Sequence, residues 1–140
     1  MEEDFVSAAA RHLDDSEHLL SESRVDNAGY LAGYVVECSL KAVIMCGVGP
    51  HPRQYGHDLA LLGREALDLA LLLSPSLRCY RPETIDEIIQ GSGDWQPSWR
   101  YAATGELTQQ KAHEIVESGK KAFEQLIIPI VLDGWKEVLK

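Results

Sequence analysis

The chain has 140 residues, 45% of them hydrophobic and 25% charged, with a formal net charge of −9. That length gives one domain spanning residues 1–140, able to bury about two-thirds of the surface of the unfolded chain. The acidic balance argues against a general binder of RNA, DNA or anionic lipid, since phosphates repel a chain of this sign.

Residues 4 to 22 predict an amphipathic helix, because Phe5, Ala9, His12, Leu13, Ser16, Leu19 and Leu20 follow a 3.6-residue period. Asp4 is a candidate N-cap. His12 and His18 read as surface or core-edge residues. The acidic start MEEDFVSAAARHLDD lacks a positive n-region followed by an apolar run, so no signal peptide is expected. Ser21 to Arg24 is the expected turn.

The stretch VDNAGYLAGYVVECSLKAVIMCGV, residues 25 to 48, is apolar almost all round and contains no Pro. Such a helix is a central core helix or a membrane span. Glu37 and Lys41 decide between these, since each charge costs about 2.5–3.5 kcal/mol at a bilayer centre. The expectation is a buried helix with an ion pair at mid-length and no membrane. Glu four residues before Lys is the favourable order, but desolvating both ions costs several kcal/mol each, so the pair needs further partners. It either fixes the helix register or faces a ligand or an interface. Ala28, Gly29, Ala32 and Gly33 line the first half and allow a neighbour to approach closely. Each Gly costs about 1 kcal/mol against Ala in a helix, so tight packing is the expected reason for both.

Gly47, Gly49, Pro50 and Pro52 end this helix. The next is expected near Gly56-His57-Asp58, with stripe Leu59, Leu62, Ala66, Leu69, Ala70 and Leu73, and Asp58 as cap. His57 just outside the helix can be a base, a ligand contact or a packed ring. Ser74-Pro75 stops the third helix, and a short fourth one is placed after Pro82 and closed by Gly91 and Gly93. The following loop, DWQPSWRYAATGE, is dense in Trp95, Trp99, Arg100 and Tyr101, so it must fold back over the bundle or meet a partner. Arg100 is a natural counterpart for Glu37 or for a phosphate. From Thr108, a candidate N-cap, the chain is helical again, with Pro129 expected to kink or split the helix. The result is an all-α fold, an up-and-down bundle of four to five helices.

The three cysteines, Cys38, Cys46 and Cys79, form no CxxC pair. Cys38 and Cys46 are about 12 Å apart along one helix and cannot join, which suits reduced thiols in a cytoplasm. Cys46, His51 and His57 match no zinc template, so no metal is expected. GVGP lacks the Lys of a phosphate loop, and no cofactor is expected.

The segments AGYLAGYVVECSLKAVI, GHDL and WQPSWRY, in that order, resemble the HEPN family (higher eukaryotes and prokaryotes nucleotide-binding domain) over about residues 4 to 130. The resemblance implies a helical bundle, a homodimer, and a role in nucleotide binding or RNA metabolism. It also implies a small nucleotidyltransferase partner in a two-gene, toxin–antitoxin-like system. Other members are metal-independent ribonucleases. In these, an Arg followed four to six residues later by a His marks the active site, the His serving as acid/base toward a ribose 2′-hydroxyl and the Arg holding the phosphate. Here Arg53 and His57 have three residues between them, Arg11 and His18 lie on the first helix, and His113 is far from Arg100. The expected site is therefore a ligand-binding one: Glu37, Lys41, His57, Trp95, Trp99, Arg100 and Tyr101. In it Lys41 and Arg100 would hold phosphate, and Trp95 or Trp99 would stack a base. A ribonuclease using His57 as its catalytic residue and a purely structural dimerisation unit are the two rival readings.

Overall fold

The computed structural model describes residues 3–48, 56–66, 68 and 85–133, and no strand occurs among them. Helix α1 is Phe5–Ser21. It starts where the Asp4 carboxylate accepts from the Ser7 N–H at 2.9 Å, satisfying one donor that a helix start leaves open. Its buried side chains are Val6, Ala9, Leu13 and Ser16. Ser16 is tolerated in the core because its hydroxyl donates to the Leu13 carbonyl at 2.9 Å. The turn to α2 uses Ser23 at φ 61°, and the Arg24 N–H closes it on the Leu19 carbonyl.

Helix α2, Val25–Val48, is the axis of the bundle. Ala28, Ala32, Val35, Val36, Leu40, Ala42, Val43 and Ile44 are fully buried along it. By length and composition Val25–Cys46 could cross a membrane, but its most apolar window is 83% buried inside the bundle, which is the position of a core helix. Helix α1 packs on one side of it. Helix α5, Gln109–Ala122, packs on another, capped by Thr108, whose hydroxyl accepts from the Lys111 N–H at 3.1 Å. Helix α3 opens at Leu59–Leu61 with Asp58 as cap and widens into a π-helical turn, Leu62–Ala66. Helix α4, Ile85–Ser92, packs mainly on α5. It runs through Gly91, which faces Ser118, and ends before Gly93 at φ +60°.

The loop rich in aromatics contains a 3₁₀ turn, Pro97–Tyr101. It folds back over α2, which is one of the two outcomes the sequence left open. Asp26 in the first turn of α2 ties down its end, accepting from the Gly105 N–H at 3.0 Å and the Leu107 N–H at 3.4 Å. Beyond α5 the chain stays helical. A π turn, Phe123–Ile127, leads into α6, Ile128–Leu132, so Pro129 does not split the helix. The Ile128 N–H reaches back to the Phe123 carbonyl, five residues earlier. Such a widened turn relieves the clash that Pro makes with the carbonyl four residues before it.

The small-residue stripe of α2 has the close neighbours its composition demands. A Cβ on Gly29 would overlap Leu107, and one on Gly33 would overlap the Trp95 indole. Gly119 of α5 lies against the Ala32 carbonyl and Val35. Residues 49–55, the expected stripe residues Leu69, Ala70 and Leu73, the expected Ser74-Pro75 stop, Cys79, Pro82 and residues 134–140 lie outside the described residues.

Cys38 and Cys46 are free and buried. Burial pushes both thiols from an ordinary 9.0 up to about 12, with the Glu37 charge adding to the effect at Cys38. A raised value in the folded state means that the associated stability is whole below the unfolded thiol's pKa and is lost as pH climbs from about 9 toward about 12. Urea midpoints should therefore fall from pH 8.5 to pH 10.5. At neutral pH, iodoacetamide should label both thiols only as fast as the fold opens, with peptide mapping separating them from Cys79. Fast labelling of Cys38 in the folded protein would contradict this burial.

Candidate functional site

Glu37 and Lys41 sit one helical turn apart on α2, and both are buried, at 4% and 6% of full exposure. The Lys41 ammonium donates to Glu37 Oε2 at 3.3 Å. It also lies 5.8 Å from the centre of the Phe5 ring, so its charge is turned into the bundle. The further partner that such a pair needs is His57, whose Nδ1 is 2.6 Å from Glu37 Oε1. A carboxylate only accepts, so Nδ1 carries the proton, and Nε2 has no partner among the described residues. The imidazole side chain is 53% exposed while Glu37 is dry. His57 can be placed in this way because it stands just before the Asp58 cap, where the backbone is not yet committed to the helix.

Aromatic rings collect beside this cluster. Tyr34, one turn before Glu37, is the hub. Its ring centre is 6.3 Å from His57, 5.3 Å from Tyr30, 4.8 Å from Trp95 and 5.8 Å from His12. The three contacts with His57, Tyr30 and Trp95 are edge-to-face, the arrangement that ring quadrupoles favour. The Tyr30 hydroxyl donates to that of Tyr34 at 3.3 Å. Burial and then this bond hold the Tyr34 phenol well above its ordinary 10, with the Glu37 charge contributing and Arg100 opposing. Tyr30, Tyr34 and His12 are only partly buried. Together with His57 they form an accessible aromatic surface floored by a buried carboxylate.

The seven residues expected from the sequence divide into four groups. Glu37, Lys41 and His57 come together as described. Trp95 is in the core at 5% exposure, seated on Gly33, with its indole N–H donating to the Tyr30 carbonyl at 2.9 Å. A ring closed in this way has no face left for a base, so Trp95 supports Tyr34 instead. Arg100 and Tyr101 stand exposed on the 3₁₀ turn, with the guanidinium 5.1 Å from the Tyr101 ring. Arg100 is therefore not the partner of Glu37, because His57 and Lys41 already hold both carboxylate oxygens. Lys41, pinned in the same way, is not presented to a phosphate. Trp99 lines a separate cleft of about 490 Å³, with Asp26, Asp94, Glu106, Leu107 and Lys111. That cleft opens at the start of α2, about 16 Å along the helix from Glu37.

His12, Tyr30 and Tyr34 were not expected in the site. The signal for Tyr30 and Tyr34 was their spacing of four, seven and three residues before Glu37, which puts all three on one face of α2. His12 comes from another helix; its place in the apolar stripe of α1 turned it toward the bundle but did not name Tyr34 as its neighbour. Among the described residues no group of His, Cys, Asp and Glu is arranged to hold a metal. No protein-family model, curated protein or solved structure matches the chain.

Proposed function

We propose that this chain is a HEPN-like helical module that binds a nucleotide on the aromatic surface around Tyr34, with His57 as its principal polar contact. One observation carries the reading: a half-exposed imidazole is held at 2.6 Å by a fully buried carboxylate, beside accessible tyrosine rings. A buried charge used only to build the fold does not need to orient a ring that faces solvent. Tyrosine and histidine rings stack nucleobases without strong sequence preference, and an imidazole fixed through Nδ1 presents Nε2 at a set position. Arg100 lies near enough to Tyr34 to act on its phenol and supplies the neighbouring positive charge for a phosphate. The resemblance adds a homodimer and a nucleotidyltransferase partner to the proposal, and the free thiols of Cys38 and Cys46 suit a cytoplasmic location.

Calorimetry with ATP tests the reading. Binding is expected for the wild type, with a loss of at least about tenfold in His57→Ala, corresponding to about 1.4 kcal/mol. Tyr34→Leu should weaken binding as well. Absence of heat with ATP, GTP and AMP would end the proposal.

The same Glu37–His57 geometry favours a second reading, a ribonuclease without metal. His57 Nε2 would take the proton of a ribose 2′-hydroxyl, that oxygen would attack the adjacent phosphorus, and the bond to the 5′-oxygen would break as that oxygen takes a proton from water, leaving a cyclic phosphate and a 5′-hydroxyl. RNA cut by the wild type and left whole by His57→Ala would favour it. RNA left intact by concentrated protein would remove it.

A further inference from the structure

We propose that His12 is the second imidazole of this site and that it takes up a proton when an anionic group binds beside His57 on the face of Tyr34. The inference rests on the nucleotide-binding reading and adds to it a residue and a regulation. His12 and His57 come from different helices, yet both pack on the one Tyr34 ring, at centre-to-centre distances of 5.8 and 6.3 Å. The His12 ring is tilted by 36° against Tyr34, whereas His57 meets it edge-on at 86°. Both imidazoles therefore border the accessible surface that Tyr30 and Tyr34 offer.

The charges around His12 make it the group that responds. From its own helix come Arg11 and Asp15. From α2 come Glu37 and the Tyr34 ring; Tyr30, His57 and Arg100 act on Tyr34 from its other sides, and Lys41 is paired with Glu37. Burial first, and then Arg11, hold the His12 imidazole below its ordinary 6.5, with Asp15 and Glu37 opposing. In the free protein burial and Arg11 therefore favour the neutral imidazole. Glu37 cannot compensate it fully, because both carboxylate oxygens are engaged by Lys41 and His57. An anion placed on this surface supplies the missing negative charge and favours the imidazolium. Binding and proton uptake are then linked, and affinity for the anion rises as pH falls, approaching about tenfold per pH unit for each proton taken up.

The test compares wild type with His12→Phe, which keeps a flat ring against Tyr34 but cannot be protonated. ATP is titrated from pH 6 to pH 8, in pairs of buffers with different ionisation enthalpies, so that the buffer dependence of the heat counts protons. Subtracting the variant removes the nucleotide's own titration. The expected result is a wild-type-to-variant affinity ratio that rises several-fold between pH 8 and pH 6, and an excess proton uptake that the variant lacks. His12→Gln should behave like His12→Phe, which excludes a fault of packing in either variant. A wild-type-to-variant affinity ratio that does not change with pH overturns the inference and leaves nucleotide binding in place. A wild type that binds no nucleotide removes both, and the outcomes are thereby distinguished.

Discussion

Glu37→Ala should lower the free energy of unfolding by about 3–5 kcal/mol, the usual consequence of removing one partner from a buried ion pair. The magnitude follows from what remains. Lys41 is left with its ammonium dry at 6% exposure, beside the apolar Phe5 ring. The loss is not simply the strength of the Glu37–Lys41 attraction. Most of it is the uncompensated charge, because several kcal/mol of desolvation are no longer repaid. The double variant Glu37→Met Lys41→Met separates the two. It removes both charges, keeps most of the volume, and should return to within about 1–2 kcal/mol of the wild type or exceed it. Urea denaturation measures all of these. The double variant also tests function, since a refolded core without Glu37 leaves His57 unanchored. If the pair exists to hold His57, the double variant is stable and binds ATP poorly. If the pair exists only for the fold, binding is untouched. A single Glu37→Ala variant that loses less than about 1 kcal/mol would mean that the pair is not dry.

Trp95→Ala should cost about 3–5 kcal/mol, the range for emptying a large buried ring. The indole fills a notch that exists only because residue 33 is Gly, and its N–H satisfies the Tyr30 carbonyl. Its loss also removes the edge that supports Tyr34 at 4.8 Å, so nucleotide binding should fall together with stability. Gly33→Ala attacks the same seat from the other side. In an exposed helix this substitution would gain about 1 kcal/mol. Here the added Cβ would overlap the indole, and displacing the ring should turn the gain into a loss of about 1–3 kcal/mol. Thermal melts and the tryptophan emission of Gly33→Ala should report both effects. The two substitutions should be strongly non-additive, because in the Trp95→Ala background there is no ring to displace and Gly33→Ala becomes harmless or stabilising. Simple addition would mean that Trp95 does not sit on Gly33.

The elements were largely legible in the residues. Period 3.6, the caps Asp4, Asp58 and Thr108, and the all-round apolarity of residues 25 to 48 predicted helices that the structure contains. These signals are local, and each acts within one or two turns of chain. Of the two outcomes expected at Pro129, a kink or a split, the split does not occur, because a π turn before the Pro absorbs the clash. The site was legible only in part. Glu37 and Lys41 announced themselves as two charges in an apolar stretch, and the stripe of small residues announced that something large approaches. Neither signal named the partner. Arg100 was the plausible counter-ion by type, but its 3₁₀ turn points it outward beside Tyr101. His57 took the place from 20 residues along the chain.

The residues alone therefore determined that α2 is innermost, that its mid-length charges must be paired, and that its glycines receive a close neighbour, because burial and helical period are properties a segment carries by itself. Only the tertiary structure decided that Trp95 fills the Gly33 notch, that His57 completes the Glu37 cluster, and that His12 from α1 reaches the same tyrosine ring. Those choices depend on which distant surfaces meet when the bundle closes. A side chain's type states what it needs, but competition among all groups of that type in three dimensions settles which one supplies it.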